Sequence, residues 1–214
     1  MLIKDVFLPA LLDTLYMVSL STLFSVLIGF IIAFILIITA KDGLEPNKFV
    51  YSIFDLMVNV LRSFPFIILM IAIFPLTKAL TGTTIGTTAA VVPLTIAAAP
   101  FAARVIESAL KEVDPGVVEA AKSFGASTWQ IIFKIMVIEA FPAIALGIVF
   151  TLISLIGYSA MAGAIGGGGL GDIAIKYGYY RFKTDIMVYT VIILIVIVQL
   201  IQFLGNRIYQ KLTR

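Results

Sequence analysis

Three polar residues interrupt an apolar stretch in a way that could do chemistry: Asp55, Asn59 and Arg62. Their spacing of four and three puts them within about 60° of one another on a helix. Ionisable groups inside a membrane span usually face a bundle interior or a watery cavity. Two readings fit: an Asp55–Arg62 charge pair that fixes packing near one interface, or a polar patch on a transport pathway that includes Asn59 and Arg62. The chain has no cysteine and no histidine. Thiol chemistry, imidazole acid–base work and the usual zinc sites are therefore excluded, and no metal site is expected. Ser154 and Ser159 have no Lys or His beside them to make a nucleophile. Gly82–Thr88 is rich in Gly and Thr but has no Lys where a phosphate-binding loop needs one. No catalytic residue is expected, and ATP hydrolysis would have to come from another protein.

The elements that must position these residues are apolar helices. Of 214 residues, 61% are hydrophobic and 13% charged, against about 25% charged in ordinary soluble domains. Lipid is the expected surrounding, and no nucleic-acid partner is expected. Charge-free windows at Thr14–Ala40, Ala79–Ala103, Ala140–Gly171 and Ile186–Asn206 each exceed the ~20 residues that cross a hydrocarbon core. Ser63–Thr77 is too short alone, so its span must begin near Tyr51 and carry the polar trio. The expectation is an all-α polytopic membrane protein, one domain over 1–214, with five spans at about 10–40, 51–78, 82–108, 136–163 and 186–207. Met1–Asp13 lacks a cleavage signature and reads as the start of a retained span. Ten Lys and Arg fall on one side and five on the other, which favours an outside N-terminus and a cytoplasmic C-terminus.

Between the third and fourth spans lies more chain than a connector needs. It reads as a short helix over about 114–126: Asp114 as N-cap, Pro115 at the first helical position, Gly125 closing in a left-handed turn. Val117, Ala120, Ala121 and Phe124 share a face opposite Glu119, Lys122 and Ser123. A helix lying on the membrane surface and a helix docked in another protein both fit this pattern.

Glu119-Ala120-Ala121, three residues, Gly125, nine residues, then Ile135 resembles the EAA loop of ABC importer permeases. Val137 and Ile138 stand where that pattern usually has Leu and Pro, and Pro142 follows four residues later. Arg62-Ser63-Phe64-Pro65-Phe66, Val92-Pro93-Leu94-Thr95, Ala99-Pro100-Phe101, Gly157–Ala164, Gly168–Gly171 and Lys176–Tyr179 are similar to the methionine-uptake branch of that family. The resemblance implies a type I importer permease whose loop forms a cytoplasmic coupling helix, with Glu119, Ala120, Ala121 and Gly125 at the contact with an ATP-binding subunit. It implies two copies of the permease, two ATP-binding subunits that hold ATP and Mg, and an extracytoplasmic methionine-binding protein. The chain itself would hold no cofactor. It implies ATP-driven methionine import across the bacterial inner membrane by alternating access. Either enantiomer, another amino acid or a small peptide would suit the same architecture. A secondary transporter is the rival class, but no internal repeat and no mid-span carboxylate support it.

Met161 stands among small residues near the outer end of the fourth span, flanked by Tyr158 and Ser159. Ordinary small-residue packing and an apolar outer gate between two copies are both open. Gly166–Gly169 should break that helix. Asp172–Thr184, rich in Tyr with Arg181 and Lys183, suits either an interfacial aromatic belt or a platform for the binding protein. Pro65, Pro75, Pro93 and Pro100 should bend their helices.

Overall fold

The computed structural model describes residues 3–213, and every regular element among them is a helix. A π-helical turn at Ile3–Phe7 leads into α1, Leu8–Thr39. Next come α2 at Lys48–Ser63, α3 at Phe66–Ala72 and α4 at Phe74–Thr81. The long α5, Thr87–Lys111, is followed by α6, Pro115–Ser123, and by α7, Thr128–Ile131. A π-turn at Ile132–Met136 and the short α8, Val137–Glu139, precede α9, Phe141–Gly163. The chain ends with α10, Gly169–Ile173, a π-turn at Ala174–Tyr179, and α11, Thr184–Leu212.

Among the described residues, four helices are long and apolar enough to cross a membrane: Asp5–Thr39, Thr87–Lys111, Phe141–Gly163 and Thr184–Leu212. The segment over 51–78 differs from the single straight span expected there. It is broken by a 107° bend between α2 and α3, and the pair makes a fifth span only if counted together. Pro65 causes the break: it has no N–H to donate, and it forces Phe64 into an extended conformation, with φ −71° and ψ 129°. Pro75 begins α4, where a proline costs nothing. Pro93 and Pro100 lie inside a continuous α5.

The helices are joined by small residues. Ser21 and Ser25 of α1 donate to the carbonyls of Val91 and Thr95 on α5, at 3.4 and 3.1 Å. These two serine hydroxyls thus find acceptors within the bundle. One core cluster at the α6 end gathers Ile37, Ile106, Leu110, Ile132 and Ile144. A second, at mid-height, holds Met17, Met70, Leu94 and Leu155. A third at the opposite end joins Phe7, Leu170 and Ile186. Since Phe7 and Ile186 share that end, α1 begins and α11 begins there, and α11 finishes with the α6 end.

At the far end of α9, the backbone turns through Ala164–Gly168 and returns as α10. The return is possible only with glycine at the crossing. A Cβ on Gly163 would lie 2.3 Å from the Asp172 nitrogen, and one on Gly171 would lie 2.2 Å from the Ala160 oxygen. The Leu170 N–H then donates to Thr14 Oγ1 at 2.9 Å, tying the re-entrant turn to α1.

Candidate functional site

Within the polar trio on α2, Asn59 Nδ2 donates to Asp55 Oδ2 at 3.1 Å, but the expected Asp55–Arg62 pair is absent. Asp55 bonds Arg104 of α5, and Arg104 Nη2 also donates to Asn59 Oδ1 at 2.9 Å. Arg104 Nη1 donates to Glu107 Oε2 at 2.8 Å, and Lys111 Nζ donates to Glu107 Oε1 at 2.6 Å. Glu107 is only 2% exposed. Its charge is tolerable because two cations and their hydrogen bonds surround it; a buried carboxylate with neither would be strongly disfavoured. The chain Asp55–Arg104–Glu107–Lys111 crosses from α2 to the last two turns of α5, immediately before α6. An Asp55–Arg62 pair is therefore not formed. Arg62 is exposed and makes no ion pair among the described residues. It stands in the last turn of α2.

The segment at 114–126 is α6 with its caps. Asp114 Oδ1 accepts from the Gly116 N–H at 2.7 Å, and Pro115 sits at the start. Gly125, at φ +78°, closes the helix: its N–H donates to the Lys122 carbonyl at 2.9 Å, and that of Ala126 donates to Ala121 at 3.1 Å. This paired arrangement satisfies the last carbonyls and requires a left-handed residue. Next, Ser127 and Gln130 form a reciprocal capping box that starts α7. Thr128 Oγ1 donates to Glu45 at 2.5 Å, joining α7 to the α1–α2 loop.

The four small and apolar residues expected on one face of α6 divide between two. Val118, Ala121 and Ala126 turn inward onto the core cluster. Val117, Ala120 and Phe124 point out, with Phe124 at 91% exposure; Glu119 is exposed as well. The outward face is apolar and has no partner within this chain. A cavity of about 1100 Å³ lies on the other side of α6, with Lys41, Lys48, Lys111, Val118, Glu119 and Lys122 among its lining.

On α9, Phe150, Gly157, Met161 and Ala164 are exposed at helical spacing, so they form one stripe. Met161 is 46% exposed, and a Cβ added to Gly157 would meet nothing in this chain. Tyr158 turns off that stripe and stacks on Phe66 of α3. Ser159 is buried and donates its hydroxyl hydrogen to the Ile156 carbonyl at 2.8 Å, so it lies off the exposed stripe. At the α10 end, Arg181 lies over the Tyr177 ring at 4.7 Å, and Phe182 is 87% exposed at φ +54°.

Four residues of the charge chain were not singled out by sequence pattern as a set. Arg104, Glu107 and Lys111 follow the i, i+3 and i+4 spacing of a helical ion-pair run, which is the signal that finds them.

An α-helical membrane domain carrying a short capped helix between its spans is the architecture of an importer permease, and the chain belongs to the family of binding-protein-dependent transport system inner membrane components, matching it over residues 25–214. A Vibrio cholerae protein named "Probable D-methionine transport system permease protein MetI" is 50% identical over 208 residues, covering 97% of this chain and 92% of its own. The methionine import system permease protein MetP of Bacillus subtilis is 47% identical over 174 residues, covering 81% and 78%. A permease chain from the MetNI methionine ABC transporter, in an inward-facing crystal form, superposes with TM-score 0.97 at 40% identity, covering 99% of this chain and 98% of that one. The fold is thus that of a type I ABC importer permease, and the chain is a transport subunit.

Proposed function

We propose that this chain is the permease subunit of an ATP-driven importer of methionine. Two copies would form the pathway, two ATP-binding subunits would hold ATP and Mg, and an extracytoplasmic binding protein would deliver substrate. The observation that carries this is α6: a helix with its own caps, seated on the core by Val118 and Ala121, that offers Val117, Ala120 and Phe124 to a partner. An apolar face kept outward at a charged end suits insertion into a cleft of another protein. The names of the relatives supply the substrate class.

The sidedness that goes with this puts α6 in the cytosol. Of the described Lys and Arg at the helix ends, Lys41, Lys48, Arg104, Lys111, Lys122, Lys134, Arg207 and Lys211 lie toward the α6 end. Lys78, Lys176, Arg181 and Lys183 lie toward the other. That imbalance favours a cytoplasmic α6 and C-terminus with the N-terminus outside. Alternating access follows from the layout. The Asp55–Lys111 charge chain stiffens the arm that leads into α6, so a nucleotide-driven shift of α6 is passed to α5 and α2 together. The exposed α9 stripe, with Met161 near its outer end, meets its twin in the second copy and closes the pathway to the outside. The Tyr177–Lys183 segment receives the binding protein.

The test is reconstitution of the chain with its ATP-binding subunit in vesicles. Uptake of L- or D-methionine that needs both internal ATP and external binding protein is expected. Uptake without the ATP-binding subunit contradicts the reading.

A further inference from the structure

We propose that the cavity behind α6 binds a phosphoethanolamine group, a ligand that carries a phosphate and a primary ammonium together. The proposal goes beyond the importer reading without resting on it, since every residue of the site belongs to this chain.

The cavity, about 1100 Å³, has the size that holds a drug-sized molecule rather than a single ion. Its walls come from three places: the connector between α1 and α2, the end of α5, and the side of α6 that carries Val118. The connector wall is firmly built. The N–H groups of Gly43, Glu45 and Asn47 donate to the carbonyls of Ala40, Ile38 and Thr39, each at 2.9 Å. A Cβ on Gly43 would lie 2.5 Å from the Ile37 and Ile38 oxygens, so only glycine lets the connector fold back this closely onto the end of α1. Thr128 fastens the connector from α7 through Glu45.

Charges of both signs line this cavity. Lys41, Lys48, Lys111 and Lys122 are there together with Asp42 and Glu119. Lys111 is committed to Glu107. The other five form no ion pair among the described residues, although Lys41 adjoins Asp42 and Lys122 stands one helical turn from Glu119. Lys48 opens α2, so the positive end of that helix adds to the cationic side. Three uncommitted ammonium groups and two uncommitted carboxylates match a ligand with both charges. A lysine holds a phosphate as a point charge, and a carboxylate accepts hydrogen bonds from a primary ammonium. Leu44, Leu110, Val113 and Met136 give the same cavity an apolar part, which suits the carbon skeleton that bears such a headgroup.

The position of the cavity favours a lipid as the source. α1 and α5 are both long and apolar enough to cross a membrane, and both end here. Lys41 is the first charge after the apolar run of α1, and Lys111 is the last residue of α5. Such positions fall where hydrocarbon gives way to headgroups, and basic pockets between spans are where phospholipid headgroups bind. A soluble phosphoethanolamine ester carries the same chemistry.

The experiment uses the full chain purified in detergent, with short-chain phosphatidylethanolamine, phosphatidylcholine or phosphatidylglycerol added to the micelles in turn. Native mass spectrometry counts the retained lipid, and thermal melting reads the stabilisation that binding brings. The ethanolamine lipid should be retained about tenfold better than either of the others, the effect of one charge-assisted contact, because choline has no N–H and glycerol no charge. Lys41→Gln combined with Lys48→Gln should lower that retention about tenfold, with melting in the absence of lipid unchanged. Asp42→Asn should narrow the preference for ethanolamine over choline. Excess glycerophosphoethanolamine separates the sources: displacement of the lipid makes the soluble group a sufficient ligand, and persistence of the lipid makes the membrane the source. Ethanolamine lipid retained no better than choline or glycerol lipid overturns the proposal. So does wild-type retention by the double lysine variant. Should that variant not fold, the three-headgroup comparison on wild type decides alone.

Discussion

Tyr158 lies flat on Phe66, with ring centroids 4.9 Å apart and planes inclined by 11°. The stack connects the bend between α2 and α3 to α9. Phe66 is the first residue after the 107° bend of α2 and α3, and Tyr158 precedes Met161 by three on α9. The bend is thereby fastened to the helix that carries the exposed Met161 stripe. Tyr158→Ala should lose about 1 kcal/mol beyond the lost area and lower the melting temperature of the detergent-solubilised subunit. Tyr158→Phe keeps the ring and should melt as wild type.

The charge chain predicts an asymmetry between its ends. Arg104→Ala strands the nearly buried Glu107 on one side and frees Asp55, and should destabilise the subunit by about 3 kcal/mol. Arg104→Ala combined with Glu107→Gln removes the stranded charge and should recover a large part of that loss. Thermal unfolding of both variants reads the difference directly.

Met161 gives a functional test. If the exposed α9 stripe closes the pathway against its twin, Met161→Ala opens a gap no other side chain fills. Basal ATPase without binding protein, or passive leak of methionine, should rise severalfold. Values equal to wild type would remove Met161 from the gate.

Two glycines, Gly171 of α10 and Gly157 of α9, should behave in opposite ways. Gly171→Ala drives a Cβ to within 2.2 Å of the Ala160 backbone oxygen and should prevent α10 from packing, seen as loss of folded yield. A Cβ on Gly157 meets nothing within the chain, so the Gly157→Leu monomer should fold, but crosslinking or light scattering should show the two-copy assembly lost if the α9 stripe is its contact.

Much of this was readable in the amino-acid order. The apolar windows mark the long helices, and Asp114, Pro115 and Gly125 mark the bounds of α6 because each answers a local backbone need. The partner of Asp55 was not readable in the same way. Arg62 is its near neighbour on the helix surface, while Arg104 stands 49 positions away and arrives only through the packing of α2 on α5. The face of Ala121 was missed for a related reason. Periodicity groups Val117, Ala120, Ala121 and Phe124, but which edge of that arc turns inward depends on where the core of the other helices lies. The bend at Pro65 was foreseen as a kink, yet its 107° size comes from two consecutive residues, Phe64 and Pro65, leaving helical geometry. Ser21, Ser25, Gly29 and Ala33, spaced by four, carried a legible sign of close α1–α5 approach: a Cβ on Gly29 would fall 2.8 Å from that of Ala102.

The central claim is that the outward face of α6 is gripped by a separate ATP-hydrolysing subunit. Ala120→Trp enlarges that face without touching the core, since Ala120 points outward while Ala121 sits on the cluster beneath. The direct measurement is co-purification of the Ala120→Trp permease with the ATP-binding subunit, with methionine uptake per ATP followed in the same preparation. A folded permease that no longer retains the subunit, or retains it with uptake at least tenfold lower per ATP, is the predicted result. Full retention and wild-type uptake would contradict it.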